Sequence, residues 1–127
     1  MSRPPETLGI RHVALLVGDV ARSEAFYCGV LGYRVEWRPD AENVYLTSGG
    51  QDNLALHEGA APAGETRLDH FGMMLKKEED VDAWHAHLKS AGVPIVKEPK
   101  THRDGARSFY AADPDGNVIQ FIHMRRE

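Results

Sequence analysis

Ile10-Arg11-His12-Val13-Ala14-Leu15-Leu16-Val17 returns 58 positions later as Leu68-Asp69-His70-Phe71-Gly72-Met73-Met74-Leu75. Both copies read apolar, polar, His, apolar, small, then three apolar residues. Runs this short and this apolar suit a strand buried on both faces. Side chains alternate along a strand, so His12, Ala14 and Leu16 share one face, and His70, Gly72 and Met74 share the matching one. A small residue two places after each histidine leaves room beside the imidazole. The duplication predicts one architecture used twice, with both rings facing a shared cavity.

Outward from the first copy, residues 1–8 read as a lead-in and residues 9–17 as a strand. Asp19 sits where an N-cap belongs. A helix over 20–31 carries Val20, Phe26, Tyr27, Val30 and Leu31 on one side, and Gly32 stops it. Strands follow over 33–38, 43–48 and 53–58, the last two joined by the turn Gly49-Gly50-Gln51-Asp52. Residues 60–66 have the small residues and proline of a linker. The order then repeats. Glu78-Glu79-Asp80 opens a helix at its positive dipole end, with Val81, Trp84, Leu88 and Ala91 on one face. A strand near Ile95-Val96-Lys97 precedes a polar loop from Pro99 to Gly105. Strands over 106–112 and 118–124 flank the tight turn Asp113-Pro114-Asp115-Gly116-Asn117, to which no chemistry is assigned. The fold class is therefore α+β. Two βαβββ modules, 9–59 and 67–127, form a curved eight-stranded mixed sheet with helices outside, as one compact domain.

The net charge of -4 and pI near 6.0 give no basic footprint for nucleic acid or a membrane surface. No apolar run is long enough to span a bilayer, and no signal-like amino terminus is present. A cytoplasmic protein that takes a small molecule is the expectation. Cys28 is the single cysteine, which excludes an internal disulfide, and no histidine lies near it in sequence to activate it. Nucleophile elbows, phosphate loops and zinc-finger spacings are absent.

The candidate chemistry lies elsewhere. Neutral imidazoles from two strands can converge on one ion, which makes His12 and His70 candidate metal ligands; the alternative is a pair of satisfied core histidines. Gln120 shares a face with Val118 and Ile122 in the last strand, so its amide is either functional or tied up. An amide oxygen binds a cation without supplying charge. His57 shares a face with Ala55 and is either a base, a replacement ligand or a rim residue. Tyr110 and Ser108 share a face, and the tyrosine hydroxyl can donate to a developing oxyanion. Arg103 and Arg107 flank the polar loop and suit an anionic substrate or open solvent. His85 and His87 are expected on the exposed side of the second helix, with Trp84 and Phe26 in the core.

The two histidine strands, with Ser108-Phe109-Tyr110-Ala111-Ala112-Asp113-Pro114-Asp115-Gly116-Asn117-Val118-Ile119-Gln120, resemble the vicinal oxygen chelate superfamily. Its members include glyoxalase I, extradiol dioxygenases, fosfomycin-resistance thiol transferases and bleomycin-resistance proteins. The resemblance spans residues 9–124 and implies paired βαβββ modules and a divalent metal, Fe, Mn, Zn or Ni. Its usual ligand positions fall on His12, Ala55, His70 and Gln120. Alanine cannot coordinate, which departs from glyoxalase I. Two histidines without a fourth-strand ligand resemble the dioxygenases and fosfomycin-resistance enzymes, except that Gln120 stands where they carry a carboxylate. Tyr110, Ser108 and Lys100 match substrate- or ion-contacting positions, whereas Ala14 departs from a threonine.

The resemblance implies a metal-assisted lyase, transferase or dioxygenase acting on a small oxygen-rich substrate by oxyanion stabilisation. The set expected is His12, His70 and Gln120 on the metal, Tyr110 in catalysis, and Ser108, His57, Lys100 and Arg107 on the substrate. Ala55 and Gln120 also suit a metal-free protein that sequesters a ligand, as bleomycin-resistance proteins do. A regulatory module that kept only the fold is a third reading. The resemblance further implies a homodimer; whether modules pair within or between chains is not written in the sequence.

Overall fold

The computed structural model describes Pro4, Leu8, residues 10–60 and residues 68–124. The lead-in over 1–8, apart from Pro4 and Leu8, and the linker over 60–66, apart from Ala60, lie outside the described residues. The chain divides into two compact units, Met1–Ala61 and Pro62–Glu127.

In the first unit, β1 (His12–Val17) leads into α1 (Val20–Glu24), which continues as a π-helical turn, Ala25–Val30. Then come β2 (Arg34–Trp37), β3 (Asn43–Thr47) and β4 (Asn53–Glu58), in the sheet order β1-β4-β3-β2. Asp19 caps the helix as expected, its Oδ1 accepting from the Arg22 amide at 3.1 Å. Gly32, at φ 84°, closes it: only a residue free of a Cβ adopts that turn cheaply, and across it the Tyr33 amide reaches the Tyr27 carbonyl at 2.9 Å. The antiparallel strands alternate as the sequence implies. Leu15, Val17, Val44, Leu46, Leu54 and Leu56 point to the helix and are buried with Val20, Phe26 and Tyr27. Each such aliphatic side chain contributes about 1.5–3 kcal/mol on leaving water.

The second unit repeats this plan with β5 (Phe71–Met74), α2 (Glu78–Ser90), β6 (Ile95–Thr101), β7 (Arg107–Ala112) and β8 (Val118–His123), ordered β5-β8-β7-β6. Trp84 stacks on Phe121 at 5.6 Å and Phe121 on Phe109 at 4.9 Å, beneath Val81 and Leu88. The two units confirm the α+β arrangement of duplicated βαβββ modules; the strands hydrogen-bond as two sheets of four. Among the described residues, no helix is long and apolar enough to cross a membrane.

Three local expectations are corrected. The second histidine strand is shorter than 68–75, so His70 lies just before β5. β6 runs on to Thr101 through Pro99, because it is an edge strand where a missing amide breaks no ladder, and its register slips between Ile95 and Lys100. His85 is not exposed: its side chain is 17% accessible, its ring meets the edge of Phe109 at 5.4 Å, and Nε2 lies 2.6 Å from Glu98, too poorly aligned for a hydrogen bond.

The turn before β4 is held by one carboxylate. Asp52 accepts from the Ser48 amide and hydroxyl at 2.8 and 2.7 Å, from Thr47 at 3.0 Å and from the Tyr33 hydroxyl at 3.2 Å. Burial pushes the Asp52 carboxyl up, but these bonds outweigh burial and leave it below its ordinary value. Burial and the facing carboxylate push the Tyr33 phenol well above its own. A carboxyl lowered by folding stabilises the fold fully above its unfolded value, and that share is lost as pH falls through the folded value. Asp52→Ala is expected to cost about 1.5–3 kcal/mol at neutral pH. In urea unfolding across an acid pH series, the gap between wild type and variant should narrow toward low pH; curves that stay parallel would refute this.

Candidate functional site

Each sheet has one face covered by its own helix and one that is not, and the predicted site residues sort onto these faces by strand alternation. On the uncovered face of the first unit, the β1–β4 register puts His12 beside Asn53 and Ala14 beside Ala55, while Leu16 stands beside His57. Tyr45 of β3 faces Ala55 from the other side. β2 carries a bulge between Val35 and Trp37, which lets both Glu36 and Trp37 reach this face. Trp37 stacks on Tyr45 at 5.1 Å, and Tyr45 meets the edge of His57 at 5.8 Å.

The hydrogen bonds on this face fix proton positions. Asn53 Nδ2 donates to Glu36 Oε1 at 2.9 Å, and a carboxylate can only accept, so the Asn53 amide is oriented without ambiguity. Its Oδ1 therefore faces His12 Nδ1, 2.7 Å away, and Nδ1 must carry the proton. A neutral His12 then presents Nε2 as a bare lone pair. His57 follows the same logic: Nδ1 lies 2.6 Å from Asn43 Oδ1, and Asn43 Nδ2 donates to both Asp40 oxygens at 2.9 and 3.1 Å. Bonds from the Glu42 amide and the Asn43 side chain hold the Asp40 carboxyl below its ordinary value. An open recess of about 500 Å³ borders His12, lined among others by Arg11, Glu36 and Asn53.

In the second unit, Gly72 of β5 and Tyr110 of β7 flank Gln120 of β8 in register, so all three share the uncovered face. His70 joins them, its ring set edge-on to Tyr110 at 5.3 Å. Asp69 Oδ2 lies 2.6 Å from His70 Nδ1, so here too Nδ1 donates and a neutral ring leaves Nε2 bare. Lys97 places its ammonium 5.2 Å from the centre of the Tyr110 ring. Among the described residues, none bonds the Tyr110 hydroxyl. Ser108, buried on this face, accepts from Gln120 Nε2 at 3.1 Å and lies 2.8 Å from His102 Nε2. With Gln120 Nε2 donating to Ser108, the Gln120 amide oxygen remains for another partner. Lys100 pairs with Ser108 in register and is exposed at the edge of the same face.

Thus His70, Gln120, Tyr110 and Ser108 come together, whereas His12 and His57 share one face but stand at opposite ends of the β1–β4 pair. Arg107 does not join the former group. Alternation along β7 turns it toward α2, where Asp82 holds it through two bonds of 2.8 Å. That bidentate pair keeps the Asp82 carboxyl below its ordinary value and raises the guanidinium's. Burial and then Glu24 push the Cys28 thiol up, the reverse of activation. Sequence reading missed Glu36, Asn53, Asp40, Asn43, Asp69 and His102. Asp69 was signalled by adjacency to His70. Glu36 was not, since its partner Asn53 stands two strands away in the sheet.

The model of the Glyoxalase/Bleomycin resistance protein/Dioxygenase superfamily matches residues 9–121. Over 118 residues the chain is 32% identical to the glutathione transferase FosA of Serratia marcescens, covering 91% of this chain and 79% of that protein. It is 30% identical to the catechol-2,3-dioxygenase of Bacillus subtilis across 94% of this chain, and spans only 43% of that enzyme's length. The crystal structure of a lactoylglutathione lyase from Agrobacterium tumefaciens shares the fold, with a TM-score of 0.77 at 23% identity, over 95% of this chain and 96% of that one.

The Gln120–Ser108–His102 chain is open to a direct check. Ser108→Ala leaves the amide and the imidazole without their shared partner and is expected to cost about 1–3 kcal/mol. Combined with Gln120→Leu, the loss should be less than additive by about 0.5 kcal/mol or more in a denaturation double-mutant cycle. Strict additivity would mean that the two side chains do not bond.

Proposed function

Because the chain belongs to the Glyoxalase/Bleomycin resistance protein/Dioxygenase superfamily, we propose that it is a metal-assisted enzyme acting on a small oxygen-rich substrate. The observation that carries this reading is the common state of the two duplicated histidines: Nδ1 of each is anchored to an acceptor, and Nε2 is left free in the neutral ring. We assign metal-binding roles to His12 Nε2 on the first unit and to His70 Nε2 and Gln120 Oε1 on the second. Neutral imidazole nitrogens and an amide oxygen are donors that suit a borderline divalent ion such as Fe, Mn, Zn or Ni. Among the described residues, no group of three His, Cys, Asp or Glu side chains gathers to offer a different set. When bound, the ion supplies Lewis acidity toward adjacent substrate oxygens.

The other roles fall to the chain itself. Tyr110 donates its hydroxyl hydrogen to the substrate oxygen on which charge develops, with Lys97 over its ring adding positive potential. Ser108 orients Gln120 and so fixes which amide atom is offered. Lys100 and His57 contact outer parts of the substrate. The protein works as a homodimer in the cytoplasm, with no nucleic acid or membrane partner. Arg107 is left out of the substrate set because Asp82 occupies it.

A second reading has its own observation. Trp37 is 59% exposed and, with Tyr45 beside Ala55, offers an aromatic platform next to a position that cannot ligate. That suits a protein that sequesters a flat ligand without metal. Calorimetric titration of chelator-treated protein with Zn²⁺ and Mn²⁺ separates the two. A metal enzyme takes up a divalent ion, and His12→Ala and His70→Ala each weaken uptake. Gln120→Glu, by adding a negative charge to the ligand set, should tighten it by about tenfold or more. No uptake of either ion, with binding of aromatic ligands retained, favours sequestration.

A further inference from the structure

The three anchored histidines share a pattern that the ligand assignment does not require. Each Nδ1 proton ends, directly or through one amide, on a carboxylate: His12 through Asn53 on Glu36, His57 through Asn43 on Asp40, and His70 directly on Asp69. Two of these routes join residues far apart in sequence: 41 positions separate His12 from Asn53, and 14 separate His57 from Asn43. They are therefore made by the register of the sheet and not by local chain geometry.

We infer that Glu36, Asn53 and Asp69 are positioning residues that lock His12 and His70 with Nε2 unprotonated, and that the carboxylate behind each imidazole adds negative charge to that ring as a metal ligand. This rests on the metal reading for its purpose, but the lock itself is a property of the protein alone. A free imidazole prefers its proton on Nε2, the nitrogen a metal would need. Moving it to Nδ1 requires a partner that can only accept. Asp69 is such a partner by itself. Asn53 becomes one because Glu36 accepts from its Nδ2 and thereby turns Oδ1 toward the ring. Anchoring of the distal nitrogen also raises the basicity of the other and fixes the ring plane. The charge is thus displaced outward: no carboxylate stands at the ligand position itself, and one stands behind each imidazole. In the first unit the arrangement depends on register: Val35 pairs with the helix-side Leu46, so alternation sends Glu36 to the uncovered face, where it meets Asn53.

The tautomer and the charge separate cleanly by substitution. Glu36→Gln and Asp69→Asn keep an acceptor oxygen and remove the charge; Asn53→Ala and Asp69→Ala remove the acceptor. Nitrogen-15 imidazole spectra of the metal-free protein at mildly alkaline pH report the proton position directly. Wild type should show His12, His57 and His70 protonated on Nδ1. Asn53→Ala should release His12 alone, and Asp69→Ala should release His70 alone. His57, on the same strand as Asn53 but anchored through Asn43, stays put and shows that the variant is folded. Glu36→Gln and Asp69→Asn should leave the tautomers in place.

Zn²⁺ titration gives the second readout. Asn53→Ala and Asp69→Ala should weaken binding by about 10–100-fold, and the charge-only variants by less. Nε2 protonation of His12 or His70 in the wild type would overturn the inference, as would unchanged spectra in both alanine variants. Unaltered Zn²⁺ affinity in Glu36→Gln and Asp69→Asn would overturn the charge role. Absence of Zn²⁺ binding by the wild type, with the tautomers as expected, would defeat the metal reading and leave the lock standing.

Discussion

Parallel pairing of the first and last strand of each unit is the constraint from which the rest descends. A parallel pair cannot be joined by a hairpin, so the chain must cross over, and here a helix makes the crossing over one face of the sheet. That single requirement gives each sheet a dry face under its helix and leaves the other to its own side chains. It also sets β1 against β4 and β5 against β8, although these strands are separated by most of a module. His12 meets Asn53 and Gly72 meets Gln120 for this reason. The residues that matter are brought together by register, and their sequence spacing carries little sign of it.

How much of this could be read beforehand follows from which interactions are local. The duplicated histidine strands, the Asp19 cap and the Asp113-to-Asn117 turn are short-range signals, and all three are present in the structure. Alternation turns Arg107 away from Ser108 and Tyr110, and its partner Asp82 lies 25 positions earlier on α2, where the loop beside Arg107 gives no sign of it. His85 escaped because a helix face is set by what packs on it, and β6 reaches further than its apolar residues suggest. Its extension carries Glu98 to His85. The partners of the histidines were hidden for a deeper reason. Asn53 and Asn43 look like ordinary strand-end residues until the register is known, and Glu36 looks like a solvated charge until the sheet order sets it near Asn53. Polar networks across a sheet depend on tertiary geometry at every link.

The same networks explain how polar side chains persist on a sheet face that alternation would otherwise make a mixed surface. An unpaired buried polar group is costly, and a half-satisfied network is worse than an apolar patch. Here His12, His57 and His70 each have a defined acceptor, and Ser108 is shared by an amide and an imidazole. Restricting proton positions in this way removes alternatives that a ligand would otherwise have to select against, so the faces are prepared before anything binds.

Ala55 then acquires a physical account. On β4 the residues facing away from the helix are Asn53, Ala55 and His57, polar at both ends and small in the middle. Ala55 lies between Ala14 and Tyr45 in the register and has no accessible surface, so a ligating side chain there would have to displace its neighbours. The polar function of the strand sits one pleat to either side of it. Toward β1 it serves His12 through Asn53; toward the strand's end it is His57, tied back to the β2–β3 connection through Asn43 and Asp40. A strand with alanine at its centre thus contributes, one pleat away, the group that orients the His12 imidazole.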